Sequence, residues 1–262
     1  MTKPVALSIA GSDPSGGAGI RADLKTFHQF GVYGEAVLAL LTVQNTRTVA
    51  RVEILDPDLV EEQILAVLDD IPPNAVKTGA LGNAAVVRRV AKLTPRFGCP
   101  LVVDPVMISK HGAPLIADEA RAALWNDLLP RATLITPNLH EAAALTGLRV
   151  DSLAEMREAA RRLRDHTGAA ILVKGGHLDG DAVDLLWDGA EFREFRAERI
   201  DTIHTHGTGC TYSAAITALL ALGTPLSDAV RRAKAFISEA IRTNPGLGSG
   251  CGPVNHHARP LQ

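Results

Sequence analysis

Val5-Ala6-Leu7-Ser8-Ile9-Ala10-Gly11-Ser12-Asp13-Pro14-Ser15-Gly16-Gly17-Ala18-Gly19 runs from a short apolar stretch into a glycine-rich turn, and a helical pattern over 18–30 follows at once. Residues 5–10 suit a strand covered on both faces, and the small residues after it allow a tight strand-to-helix connection. The unit recurs along the chain. Further strand candidates lie at 36–41, 75–77, 101–103, 133–135 and 171–173, bounded by Gly, Pro, Asp or Asn. Helical segments separate them at 59–68, 84–93, 118–128, 141–145 and 153–163. This alternation predicts an α/β fold, with a mostly parallel central sheet between helices on both faces and right-handed crossovers. Near residue 180 the rhythm changes. Residues 182–187 and 191–197, joined by Asp188-Gly189-Ala190, read as an antiparallel hairpin, and helices return at 211–222 and 226–241. No repeat, low-complexity tract or linker divides the chain, so one domain over 1–262 is expected.

Composition excludes several classes. Hydrophobic residues make up 46% and charged residues 21% of the 262, which suits a folded chain and not a disordered one. A net charge of -2 offers no broad attraction to nucleic acid or to an anionic membrane. No apolar run approaches the ~20 residues of a membrane span. The segment MTKPVALSIAGSD reaches its glycine-rich turn too early for a secretory signal. Cys99, Cys210 and Cys251 contain no CxxC pair, which argues against a disulfide framework or a structural zinc site. A cytoplasmic protein is expected.

In an open α/β sheet, ligands gather beyond the carboxyl ends of the strands. The residues there are chemically unusual. Gly11–Gly19 could bring backbone amides and a helix start to an anion, or could be a tight turn; it is neither GxxxxGK[ST] nor GxGxxG. Asp23, on the following helix, could equally complement the helix dipole. Gln44-Asn45 carries two amides able to read a heterocycle or to build a turn. Asp104 ends a buried-type strand. Asn138 and Glu141 fit a capping box and also a hard-cation site beside phosphates. Lys174 follows an apolar run and precedes two glycines, while His177 is assigned no role. The strongest signal is His204-Thr205-His206-Gly207-Thr208-Gly209-Cys210, which opens an apolar helix and would present unpaired amides to an anion. Cys210 stands at that helix start, where the alternative is simple packing.

Together these segments closely resemble the hydroxymethylpyrimidine/phosphomethylpyrimidine kinases of thiamine biosynthesis, within the ribokinase-like superfamily. The similarity runs through residues 6–19, 22–27, Gln44-Asn45-Thr46, Asp104-Pro105-Val106-Met107, Thr136-Pro137-Asn138, Lys174-Gly175-Gly176-His177, 205–210 and Gly252-Pro253-Val254-Asn255-His256, nearly the whole chain in the family's order. It implies a three-layer ribokinase-like fold. The implied activity uses ATP to phosphorylate 4-amino-5-hydroxymethyl-2-methylpyrimidine, then its monophosphate to the diphosphate. On that pattern Gln44 binds the pyrimidine, with Gly11, Asp23, Val43, Val106 and Cys210 lining the same pocket. Asp104, Asn138 and Glu141 match positions that organise Mg-ATP, with Asp104 and Glu141 on the Mg2+ side. Lys174 matches the lysine on the nucleotide phosphates, and Thr205, Gly207, Thr208 and Gly209 would join it in nucleotide binding. Gly207 to Cys210 match the anion hole, so Cys210, Gly209, Gly207 and Lys174 form the implied catalytic set. The wider superfamily usually has an aspartate base where Cys210 stands. A homodimer is typical of the family.

Two positions depart from the pattern. Ala80 replaces a usual methionine near the pyrimidine, and Ser249 replaces a usual histidine near the C-terminus. Both bear on substrate range more than on reaction class. A pyridoxal or pyridoxine kinase of the same superfamily is the nearest alternative, because a pyridine bearing a hydroxymethyl group is similar in size. A non-catalytic pyrimidine sensor is the alternative of a different class.

Overall fold

The computed structural model describes residues 3–107, 118–176 and 180–260. Nine strands form one sheet in the order β3-β2-β1-β4-β5-β6-β7-β8-β9. The interior strand β1 (Val5–Ser12) is buried along its whole length. It pairs in parallel with β2 (Tyr33–Gln44) on one side and with β4 (Ala75–Thr78) on the other. From β2 the chain turns outward into an antiparallel edge strand, β3 (Val49–Ile54), before crossing to β4. The order therefore reverses beside β1, which is where an open sheet presents a crevice. Beyond β4 lie the parallel strands β5 (Leu101–Val103), β6 (Leu134–Ile135) and β7 (Ala170–Val173), followed by the antiparallel hairpin of β8 (Ala182–Trp187) and β9 (Phe192–Ala197).

Helices cover both faces. On one, α2 (Pro57–Asp70), α3 (Ala84–Leu93), α4 (Asp118–Ala123), α5 (Leu139–Thr146) and α6 (Leu153–Thr167) pack on a core that includes Leu7, Ile9, Val76, Val103, Ile135 and Ile171. On the other, α1 (Gly19–Gln29), α7 (Thr208–Ala221) and α8 (Leu226–Arg242) cover Ala6, Ala75, Val102, Leu134 and Leu172. The three layers match the α/β expectation. Residues 208–221 read as apolar all round because α7 lies between the sheet and α8, buried along most of its length.

Three details differ from the sequence reading. β2 is twice the expected six residues, and its outer half carries the exposed side chains of Leu41 and Val43. β3 was not expected, since Arg51 and Glu53 interrupt its apolar residues; as a half-exposed edge strand it needs only one covered face. The helix expected over 118–128 is α-helical to Ala123 and then takes a π turn over Leu124–Leu128. The wider turn keeps Leu124 and Leu128 in the core and leaves the Trp125 carbonyl to accept from His166 Nε2 at 2.9 Å.

Candidate active site

Parallel pairing sends the carboxyl ends of β2, β1, β4, β5, β6 and β7 to one rim. Asp104 follows β5 and is buried. Its Oδ1 accepts from Lys174 Nζ at 2.8 Å and Thr136 Oγ1 at 3.0 Å, and its Oδ2 accepts from Ser213 Oγ at 3.2 Å. Burial opposes ionisation of Asp104, but the Lys174 and Lys77 charges hold the carboxyl below its ordinary value. Lys174, just after β7, is likewise opposed by burial and yet held above the usual lysine range by Asp104 and Glu141. It remains a cation with a partly open side chain.

The start of α7 faces this pair. Gly207 caps the helix at φ 78° and contributes no side-chain bond, so the amides of Gly209 and Cys210 have no capping side chain. A Cβ at Gly209 would stand 3.3 Å from Lys174 Nζ and 3.8 Å from Asp104 Oδ2. Thr208 Oγ1 donates to the Thr205 carbonyl at 2.7 Å and so shapes the turn before the helix. A helix N-terminus and an ammonium thus converge, an arrangement that favours phosphate oxygens.

Glu141 and Asn138 form the capping box of α5. The Asn138 amide donates to Glu141 Oε2 at 2.8 Å, and the Glu141 amide donates to Asn138 Oδ1 at 2.9 Å. The Lys174 amide donates to the Pro137 carbonyl at 2.8 Å, which holds this loop beside Lys174. Burial, followed by the Asp104 charge, pushes the Glu141 carboxyl up to about 7, although Lys174 pulls the other way. Structural cap and buried acid are one side chain.

A second charged group lies under the crevice between β1 and β4. Asp23 Oδ2 accepts from Ser8 Oγ at 2.6 Å and from Lys77 Nζ at 2.8 Å, and both side chains of this ion pair are fully buried. Among the described residues, Asp23 Oδ1 has no hydrogen-bond partner. Burial raises the Asp23 carboxyl, while Lys77 is raised by Asp23 against its own burial. Lys77 keeps its proton, and its charge and hydrogen bond are what oppose burial at Asp23. Such a carboxylate, with one oxygen unfilled, calls for a hydrogen-bond donor. Cys210 lies within the field of this pair. Burial pushes its thiol up to about 11, and the Lys77 charge and the Gly19 amide lower it without reversing the shift. At neutral pH Cys210 is therefore a neutral thiol.

The glycine-rich turn closes over this region. Gly11 follows a register shift in β1, and a Cβ at Gly19 would come within 2.1 Å of the Gly11 carbonyl. Gln44 ends β2, half-buried, with no side chain holding its amide among the described residues. Thr42 Oγ1 donates to the Ser12 carbonyl at 3.0 Å and ties β2 to the turn. A C-terminal strap completes the rim. The Gly250 amide donates to Thr46 Oγ1 at 3.2 Å, the His206 amide to the Gly252 carbonyl at 3.0 Å and the Val254 amide to the His206 carbonyl at 3.3 Å.

Asp104, Lys174, Gly207, Gly209 and Cys210 thus lie together, with Thr205, Thr208, Asn138 and Glu141 beside them. Gly11, Gln44 and Val106 occupy the same carboxyl edge, and Asp23 lies beneath it on α1. Val43 is 58% exposed, on the outer part of β2. Ala80 is half-buried after β4, Ser249 lies in the strap, and His177 falls outside the described residues. Sequence reading missed Lys77, Ser8, Thr136 and Ser213. Lys77 did carry a signal: it is the one charge inside an otherwise apolar strand candidate.

Known proteins resemble this chain along most of its length. A family model described as phosphomethylpyrimidine kinase matches residues 13–255. The hydroxymethylpyrimidine/phosphomethylpyrimidine kinase of Streptomyces coelicolor is 48% identical over 98% of this chain and 95% of its own length. The thiamine biosynthesis bifunctional protein ThiED of Geobacter sulfurreducens is 50% identical over 95% of this chain, which spans about half (51%) of that protein. Among solved structures, the pyridoxal kinase of Staphylococcus aureus in complex with AMP-PCP and pyridoxal superposes with a TM-score of 0.90 at 36% identity, covering 98% of this chain and 95% of its own. With the family model spanning most of the sequence and a relative near half identity end to end, this chain belongs to the phosphomethylpyrimidine kinase family.

Proposed function

We propose that this protein transfers the terminal phosphoryl group of ATP to 4-amino-5-hydroxymethyl-2-methylpyrimidine and then phosphorylates the monophosphate to the diphosphate, in thiamine diphosphate biosynthesis. The observation that carries the reading is the shared rim. A helix start and Lys174, suited to phosphate, lie at the same carboxyl edge as Gln44, which is half-buried at the end of β2 with its amide unheld among the described residues. An aminopyrimidine offers ring-nitrogen acceptors and an exocyclic amine donor with which the Gln44 amide can pair.

Phosphoryl transfer depends on positioning and charge neutralisation. Lys174 and the amides of Gly209 and Cys210 would meet the transferring group, with Asn138 and Thr205 lining the nucleotide side. Asp104 keeps Lys174 charged and oriented. Among the described residues no group of three or more His, Cys, Asp or Glu is placed to hold a metal alone. The donor set nonetheless fits Mg2+, which binds through one or two carboxylates with phosphates and water. Glu141, buried and raised to about 7, is an acid that a nearby divalent cation would ionise. Asp104 and Glu141 are the residues that would hold it, where it would neutralise phosphate charge. Cys210, as a neutral thiol, lines the anion hole; only the thiolate, formed by prior loss of its proton to solvent, can accept the proton of the alcohol.

Incubation with Mg-ATP and each alcohol, read by product mass, tests the proposal. A gain of two phosphoryl groups on the pyrimidine is expected; no gain overturns it. A pyridoxal kinase is the second reading, favoured by the TM-score of 0.90 at 36% identity to a pyridoxal kinase. A higher kcat/KM for pyridoxal would establish it. ATP consumption with either alcohol removes the sensor reading. A homodimer in the cytoplasm completes the proposal, with light scattering as the check on the dimer. No helix among the described residues is long and apolar enough to cross a membrane.

A further inference from the structure

Asp13 and His206 are 193 residues apart in sequence and meet inside the protein, both buried, with His206 Nε2 donating to Asp13 Oδ2 at 2.8 Å. Each organises its own segment. Asp13 accepts from the Ser15 amide at 2.8 Å and the Ser15 hydroxyl at 2.7 Å through Oδ1, and from the Gly17 amide at 3.1 Å and the Ala18 amide at 2.9 Å through Oδ2. It therefore sets the curve of the glycine-rich turn that leads into α1. His206 is fixed through its backbone to the strap at Gly252 and Val254 and is followed by Gly207, the cap of α7. The two segments touch backbone to backbone. A Cβ at Gly207 would fall 1.8 Å from the Gly17 carbonyl, and a Cβ at Gly17 would fall 2.6 Å from His206 Cδ2.

A carboxylate offers about four acceptor directions. Those of Asp13 are occupied by Ser15, Gly17, Ala18 and His206, so none remains for a substrate. Burial opposes the charge on Asp13, yet the His206 and Ser15 bonds hold its carboxyl down to about 2. The acceptor is thus ionised throughout the working pH range. Its loop leads to Asp23 and the alcohol side; its partner leads to the anion hole and the phosphate side.

We infer that Asp13 and His206 form a positioning clamp that keeps the alcohol-side turn and the phosphate-side helix start in register for transfer, while contributing little to the affinity of either substrate. The inference rests on the kinase reading above and deepens it. A register error of about 1 Å between reacting groups can slow a reaction by about a hundredfold.

The test compares His206→Leu, which fills the site without donating, with His206→Gln, whose amide nitrogen reaches about where Nε2 lies, and His206→Asn, one methylene shorter. His206→Leu and His206→Asn should lower kcat by about a hundredfold, with both KM values within about threefold of wild type, and His206→Gln should restore most of kcat. An unchanged kcat with a lowered Tm makes the pair purely structural and overturns the clamp; so does a loss confined to one KM. If His206→Leu does not fold, the Asn and Gln variants carry the same comparison. Hydrogen exchange in the full chain separates this from failure of the kinase reading. Peptides over 14–19 and 207–211 should lose protection together in the Leu or Asn variant, whatever the wild type phosphorylates. Exchange rising in only one of them overturns the clamp.

Discussion

Two aspartate–lysine pairs share a 2.8 Å contact and differ in nearly everything else. In Asp104–Lys174 both carboxylate oxygens are bonded and 12% of the lysine side chain is open; in Asp23–Lys77 neither side chain is exposed and one carboxylate oxygen is unbonded. The first pair stores a cation where an anion can reach it, and its carboxylate keeps Thr136 and Ser213 should the lysine turn toward phosphate. The second stores an anion whose counter-charge cannot leave. Distance alone would have made them equivalent; access and leftover acceptors give them opposite roles.

Sealing predicts the largest effect. Lys77→Met leaves Asp23 as an unpaired buried charge and should cost about 3–5 kcal/mol of stability by denaturant unfolding. Adding Asp23→Asn should recover most of that loss, and no recovery would mean that Lys77 matters for shape. Lys174→Met tests the open pair. It should lower kcat by about 10²–10³-fold, as loss of one group facing developing charge does elsewhere, while pyrimidine binding by calorimetry stays near wild type. A fall in stability with kcat preserved would erase the distinction between the pairs. Gln44→Leu asks whether the alcohol side is read separately, and should weaken the pyrimidine KM by about 1–3 kcal/mol with the ATP KM nearly unchanged.

Cys210 lies between the two pairs and gives the finest test. Its thiol, raised to about 11, gains thiolate about tenfold per pH unit between pH 7 and 10. If that thiolate takes the alcohol proton, the first transfer should rise with pH and Cys210→Ala should slow it far more than the second, whose phosphate acceptor is already largely ionised. Equal losses in the two single-turnover rates assign Cys210 to the anion hole.

Strands of this sheet were legible wherever both faces are covered, because 5–10, 75–77, 101–103 and 171–173 then read as apolar runs interrupted only by Ser8 and Lys77. β3 was not, since an edge strand can alternate Arg51 and Glu53 with valine and isoleucine. The open pair was legible in part, as Asp104 and Lys174 each follow a strand. The sealed pair was not, because Lys77 meets Asp23 across 54 residues and only the sheet order brings β4 beside β1 and α1. The segments holding Asp13 and His206 were conspicuous, but a bond spanning most of the chain leaves no local pattern.

The strap from Gly246 to Val254 carries one more consequence, for the order in which the molecule is made. Every strand and helix among the described residues precedes it, so a chain still on the ribosome can pair its sheet before the segment that fixes His206 and Thr46 has been translated. Chains stalled ahead of residue 246 should therefore resist proteolysis in their core yet remain inactive.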